Sequence, residues 1–206
     1  MTRLLRLLII LATSSFTLIV NAGIVGTPHD FTTRGWGTAN PCSVCHTPHN
    51  AQVVPGAPLW NHTITVVVFQ PYTSDSLKAT VNQPGMVSKL CLSCHDGSVA
   101  PDSFNMGDTG MKVGTATIAG NRQISHNGNL NMDHPIGFAY DSTLTAKNKG
   151  LASPTSAKWV DGMNVVPLYS GQMECSSCHS AHDNSNKMFL RLDNSGGALC
   201  LTCHLK

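Results

Sequence analysis

The chain has 206 residues, of which 12% are charged and 6% aromatic, and it contains 18 glycines and 11 prolines. Glu174 is its single glutamate, which excludes a coiled coil and long exposed helices stabilised by Glu–Lys pairs. No run of like charge indicates nucleic acid or a cationic partner. With eight cysteines and ten histidines in so loop-rich a composition, we expect a cofactor to fill the core.

Residues 1–22 are predicted to be a signal peptide. Arg3 and Arg6 precede a mostly apolar stretch, and Ala22 ends a small-residue cleavage site. The stretch is shorter than the roughly 20 apolar residues that a membrane-spanning helix needs. Without residues 1–22 the chain has eleven basic and eleven acidic residues. We therefore expect an exported protein without stable membrane insertion, either extracellular or at the cell surface, or alternatively periplasmic.

All eight cysteines lie in four copies of one pentapeptide, Cys-x-x-Cys-His. Structural zinc requires no histidine after each cysteine pair, and disulfides impose no such spacing. Histidine is ten of the 206 residues, so its presence after all four pairs by chance has a probability below about one in 100,000. The motif therefore predicts four covalently attached c-type haems, with two thiols on one face of a helical turn. The attachment residues are Cys42, Cys45, Cys91, Cys94, Cys175, Cys178, Cys200 and Cys203.

The histidine of each motif is the predicted proximal ligand of iron. These ligands are His46, His95, His179 and His204. His49 and His182 each stand three residues after a proximal histidine, so they face the same way as that histidine and would reach the iron of a neighbouring haem. A surface or outer-shell position is the alternative for both.

The predicted domain, residues 23–206, divides into two halves, 23–95 and 96–206, with two motifs each. Each half adds one upstream histidine, His29 or His134. With His49 and His182, these complete a set of four distal ligands and give every iron two histidines. His62 and His126 are then surplus and are expected in exposed loops, although His62 or a methionine is an alternative distal ligand.

The predicted fold class is a multihaem c-type cytochrome, mostly coil, with a few short helices at the motifs and minor short strands, built around a haem stack. Helices are expected at residues 88–95 and 199–205, and a further one at 175–180. The β-branched segments 63–69 and 112–118 are predicted to be strands. Residues 96–174 contain no motif and are expected to wrap or cover the haems.

Several sequence strings in and around the motifs are more specific for one family than the Cys-x-x-Cys-His motif itself. They are His29-Asp-Phe, Cys42-Ser-Val-Cys-His-Thr-Pro-His-Asn, Pro58-Leu-Trp-Asn, Ser88-Lys-Leu-Cys-Leu-Ser-Cys-His-Asp-Gly, Asp133-His-Pro-Ile and Leu199-Cys-Leu-Thr-Cys-His. With them the chain resembles the tetrahaem c-type cytochromes of metal-respiring bacteria, including the OmcE-like extracellular nanowire cytochromes. The resemblance implies a homopolymer with a continuous haem chain, in which one haem per subunit takes an axial histidine from its neighbour. His29, His49, His134 and His182 match the family's distal positions.

Three functions are compatible with these features. The first is the subunit of an electron-conducting filament that passes electrons to other redox proteins or extracellular acceptors. The second is a soluble periplasmic electron shuttle, and the third is a multihaem reductase. A reductase needs an open haem position, marked by a lysine variant of the motif or a shortage of histidines. Neither occurs, so we predict no catalytic residue and no enzyme. His29, near the mature N-terminus, is the distal histidine expected to reach a neighbouring subunit most easily.

Overall fold

The computed structural model describes residues 23–154 and 166–205. The predicted signal peptide lies outside the described residues. Helices and strands are short: β1 (Gln52–Val54), β2 (Ala57–Trp60), α1 (Met86–His95), β3 (Phe138–Ala139), α2 (Ser142–Lys147), β4 (Gln172–Met173), α3 (Cys175–Cys178) and α4 (Ala198–Leu201). Single 3-10 turns cover Gly107–Thr109, Gly120–Arg122, Lys187–Phe189 and Ser195–Gly197. The expectation of a mostly coil chain with a few short helices and strands is confirmed. No helix in the described ranges has the length and apolar character needed to cross a membrane.

The two sheets are antiparallel pairs that bring distant parts of the chain to the motifs. β1 and β2 form a hairpin in which Gln52 faces Trp60, and it follows directly after the first motif. β3 pairs with β4, with Phe138 opposite Met173. Because β4 ends just before the third motif, this pair ties the middle of the long segment 96–174 to that motif.

The helices predicted at the motifs are present, with different bounds. α1 begins two residues before the predicted Ser88 and ends as expected at His95. α3 stops at Cys178, and α4 stops at Leu201, well before the predicted Leu205. The extent of α4 was wrong because the backbone after it bonds elsewhere: the N–H of Leu205 donates to the carbonyl of Gly150 at 2.8 Å.

Both predicted strands, 63–69 and 112–118, are wrong. The first segment is extended and alternates in burial, with Thr65 and Phe69 buried and Val66 and Val68 exposed. The backbone N–H groups of its two buried residues donate hydrogen bonds to side chains and not to a neighbouring strand. The N–H of Thr65 donates to Ser93 Oγ at 3.0 Å, and that of Phe69 to Gln83 Oε1 at 2.9 Å. Periodicity revealed the extended backbone but not the identity of its partners.

Side chains build two small cores, which the sequence analysis did not anticipate. One contains Phe138, Tyr140, Leu144, Val166 and Met173 and contacts Leu199 and Cys203 near the fourth motif. The other contains Phe69, Leu92 and Leu130 and includes a residue of the second motif. The long motif-free segment thus carries apolar residues of its own and packs them against the attachment sites.

The two halves of the sequence are interleaved in the structure. The N–H of Asn82 donates to the carbonyl of Gly137 at 3.0 Å, and a bridge pairs Gln70 with Asn129. At Gly137 a Cβ would lie 2.9 Å from the carbonyl oxygens of both Asn82 and Gln83, and φ is +76°. Only glycine allows both this conformation and so close an approach. The proposed pseudo-repeat remains a prediction about sequence.

Replacing Phe138 by alanine is expected to lower the free energy of unfolding by about 3–5 kcal/mol, since it leaves a cavity in the core near the fourth motif. Chemical denaturation of the holoprotein, followed by far-UV circular dichroism, measures the change. The matched control is Val68→Ala, because Val68 is 82% exposed. Equal losses in the two variants would contradict the assignment of this core.

Candidate haem-binding sites

Each Cys-x-x-Cys-His motif folds as one helical turn. The backbone N–H of the histidine donates to the carbonyl of the first cysteine at 2.8 Å in the first motif, 3.0 Å in the third and 2.9 Å in the fourth. The second motif forms the end of α1. This turn places the two thiols of a motif on one side, as attachment to one porphyrin edge requires.

Three of the four predicted proximal histidines are oriented by the backbone. Nδ1 of His46 lies 2.9 Å from the carbonyl of Pro58, and Nδ1 of His95 lies 2.8 Å from that of Arg122. Nδ1 of His179 lies 2.9 Å from the carbonyl of Met188. A carbonyl can only accept, so each Nδ1 carries the hydrogen and Nε2 has the lone pair for a metal. Metal-binding histidines are commonly held in this way.

Three proximal imidazoles face a predicted distal imidazole of the same chain. The ring centroids are 6.1 Å apart for His46 and His182, 6.3 Å for His95 and His29, and 6.3 Å for His204 and His134. Two imidazoles that bind one iron from opposite sides have centroids about 6 Å apart, from two iron–nitrogen bonds of about 2 Å and the ring radii. In the described residues, metal-binding side chains do not gather in groups of three or more. The pairs fit the axial positions of haem.

His29 is held firmly in its own chain. Its ring stacks on Phe189 with centroids 4.4 Å apart. Burial lowers the pKa of His29, and the nearby His95 lowers it further, which favours the neutral imidazole that binds a metal. The backbone near His29 is also attached to the rest of the chain, because Gly23 forms a bridge with Asp183. The structure places His29 opposite His95 of its own chain, which gives no support to the expectation that His29 reaches a neighbouring subunit most easily; exchange between subunits stays a prediction.

One proximal and one distal histidine remain. His179 and His49 are both exposed, and among the described residues neither makes a ring contact with another imidazole. His49 sits in a turn in which the Thr47 hydroxyl donates to its carbonyl at 2.9 Å. The structure thus brings together six of the eight predicted ligands and leaves these two apart.

The two surplus histidines differ from one another. His126 is exposed, as expected, whereas His62 is only 1% exposed, so the expectation of an exposed loop position was wrong for it. Nδ1 of His62 lies 2.7 Å from the carbonyl of Thr63, and Nε2 lies 3.1 Å from that of Ala100. Since both ring nitrogens already contact carbonyls, His62 is a structural core residue in this arrangement rather than an iron ligand.

The motifs follow one another in space in sequence order. Burial raises the pKa of Cys94 to about 12, and the thiol of Cys45 in the first motif adds to the rise. The sulfur atoms of Cys91 in the second motif and Cys175 in the third lie close to each other. Burial also raises the pKa of Cys203 to about 12, with Cys178 of the third motif contributing. Each motif therefore has a thiol close to a thiol of the next.

Two further observations fit a large bound group. A cavity of about 520 Å³ is lined by Gly196, Gly197, Cys200, Leu201 and His204 of the fourth site. Gly197 has φ +77°, and no atom lies within 4 Å of where its Cβ would stand, so the chain leaves open space beside the motif.

The contact between Trp60 and His46 was not predicted from the sequence. The indole of Trp60 packs edge-on against His46, with centroids 6.2 Å apart. Trp60 is 8% exposed, and its Nε1 has no hydrogen-bond partner in the described structure. A buried N–H normally has an acceptor, and a carboxylate of a haem bound at His46 would supply one. Phe189 was missed too, and only its position after the third motif could have indicated a role.

Comparison with known proteins supports this reading for the last part of the chain. Residues 167–206 match the family model described as doubled CXXCH motif. No curated protein matches the chain. The match points to a c-type cytochrome with haem-binding motifs, and doubled motifs of this kind indicate multihaem electron transfer with covalently bound haem c.

Four covalent haems are expected on the purified protein. Each thioether-linked haem adds roughly 0.6 kDa, so the chain beginning at Gly23 should weigh about 2.5 kDa more than its polypeptide. Denaturing mass spectrometry measures the addition. Replacing both cysteines of one motif by serine should remove one haem mass, and fewer than four additions in the wild type would contradict the prediction.

Replacing His182 by alanine is expected to leave the iron held by His46 with one protein ligand. One haem in four should then change from low-spin to high-spin, because it loses a strong-field imidazole. Electron paramagnetic resonance measures the change, and His126→Ala, which removes an exposed and unused histidine, is the control. A fully low-spin spectrum in His182→Ala would show that the observed pairing with His46 is not the ligand pair.

Proposed function

We propose that the chain is a tetrahaem electron relay and the subunit of an extracellular cytochrome filament for extracellular electron transfer. Haem c supplies one-electron chemistry between its ferric and ferrous states. The chain's own residues attach it, ligate the iron on both sides and place the attachment sites in series. The observation that carries the proposal is the set of three proximal–distal imidazole pairs along motifs that contact one another in order.

The proposed function is transfer without catalysis. An iron with a histidine on each side offers no position to a substrate, so an electron is the only thing that such a site exchanges. Three of the paired imidazoles, His46, His95 and His134, also need little rearrangement when the charge of the iron changes, since a backbone carbonyl already lies close to the Nδ1 atom of each. A relay of this kind requires closely spaced sites, and the contact between Cys91 and Cys175 joins the middle two.

Assembly is proposed from the two histidines that have no imidazole partner in the chain. His49 follows the first motif and His179 belongs to the third, and both are exposed. If His49 of one subunit completes the iron site at His179 of the next, each subunit gives one ligand and receives one. Such a contact joins two different surfaces, so it extends into an open filament unless its rotation closes a ring.

An iron ligand supplied in trans would make the filament stable. Leaving it would cost a metal bond as well as buried surface, and the haem at His179 would lose its second imidazole. His49 replaces His29 as the proposed donor, because His29 already faces His95 in its own chain.

Replacing His49 by alanine is expected to abolish filaments and give monomers in which one haem of four is high-spin. Negative-stain electron microscopy, size-exclusion chromatography and electron paramagnetic resonance measure these properties. His126→Ala, which removes another exposed histidine, should assemble normally.

Two outcomes would contradict the proposal in different ways. Filaments formed by His49→Ala would rule out this residue as the ligand in trans. A wild-type protein that stays monomeric at high concentration with four low-spin haems would show that His49 and His179 pair within one chain. The protein would then be a soluble periplasmic shuttle.

A further inference from the structure

The carboxylate of Glu174 lies buried between the second and third motifs. Glu174 is 3% exposed and directly precedes Cys175. Its Oε1 accepts a hydrogen bond from the backbone N–H of Gly85 at 3.1 Å, and its Oε2 accepts one from the hydroxyl of Ser88. A side chain next to the third motif thus caps the first turn of α1, the helix that ends in the second motif.

The same network reaches one attachment cysteine of each motif. The hydroxyl oxygen of Ser88 accepts a hydrogen bond from the backbone N–H of Cys175 at 2.9 Å. Cys91, three residues after Ser88, has its sulfur close to that of Cys175. The Glu174 carboxylate therefore belongs to the junction at which the second and third attachment sites meet.

A buried carboxylate at this position has a strong local field. Burial raises the pKa of Glu174, while the hydrogen bonds from Ser88 and Gly85 oppose the rise by stabilising the charged form. In the described part of the chain, no basic side chain forms an ion pair with this carboxylate. Its charge is thus balanced by hydrogen bonds, which include one from the backbone N–H of Ser177, and by the N-terminus of α1, in surroundings that screen it much less than water does.

We propose that Glu174 tunes the relay by lowering the reduction potentials of the two haems attached at the second and third motifs, relative to those at the first and fourth. A ferric haem carries one more positive charge than a ferrous haem, so a nearby negative charge favours the oxidised form. The inference rests on the proposed electron-relay function. It attributes the lower reduction potentials of the middle two haems to one residue.

The test replaces Glu174 by glutamine, which keeps the size and the acceptor oxygen but removes the charge. At a fixed applied potential, the ratio of reduced to oxidised haem at the middle two sites should rise three- to tenfold, where tenfold is about 59 mV for a one-electron couple. The ratio at the outer two sites should change less. A redox titration of the holoprotein followed by proton NMR resolves the four haems. Contacts to the buried Leu92 and Ser177, which lie within the second and third motifs, identify the middle two.

The control is Asp75→Asn, which removes an exposed carboxylate. Its effect on all four haems should be small and should vanish at high salt. The effect of Glu174→Gln should persist at high salt, because Glu174 is buried. Unchanged potentials in a Glu174→Gln protein that is less stable would show a purely structural role and overturn the proposal, and so would an equal shift of all four haems.

Ser88→Ala is a second test that stands even if Glu174→Gln does not fold with its haems. The variant removes one donor from the carboxylate, so at mildly alkaline pH the charge is less neutralised and the middle two potentials should fall. Unchanged potentials would overturn the proposal. Failure here would leave four low-spin haems whose potentials do not respond to Glu174, whereas failure of the relay function would appear in the wild type as a high-spin haem with an open position.

Discussion

The structure depends on holding pairs of imidazoles with their ring centroids about 6 Å apart. Nothing in a bare polypeptide favours such a gap, since two rings with no atom between them lose contact energy. The chain maintains it by fixing each ring from behind: His46 through the carbonyl of Pro58, and His95 through that of Arg122. The loops therefore act as supports for ligands, and their irregularity follows from the need to approach each ring from a particular side.

This constraint explains how a chain with so little regular structure is organised. Distal histidines cross between motifs: His182 follows the third motif but faces the histidine of the first. His134 reaches the fourth site from the long middle segment. Every such pair ties together residues far apart in sequence, which in an ordinary domain is the work of a sheet or helix bundle. The two small side-chain cores fill the space that remains around Phe138 and Leu92.

The sequence predicted the local chemistry well and the long-range contacts poorly. Local sequence rules predict features that depend only on neighbouring residues. These features are the turn of each motif, the helix that ends at His95 and the small amount of secondary structure. Which distal histidine faces which proximal one depends on the path of the whole chain, so the sequence did not pair His29 with His95, which it faces in the structure. The strand predicted at 63–69 was wrong for a related reason. The hydrogen-bond partners of its backbone are the side chains of Ser93 and Gln83, which are distant in sequence.

Glu174 combines a structural role, the hydrogen bonds that it accepts at the start of α1, with a buried negative charge. A neutral side chain could cap α1, yet the residue that does so beside the third motif is the chain's one glutamate. Burying a charge costs free energy that hydrogen bonds from Gly85 and Ser88 only partly offset. A glutamine could keep an acceptor for one of these bonds without that cost. Stability alone therefore favours the neutral residue, and the proposed effect of the carboxylate on the two neighbouring haem potentials would account for the charge at this junction.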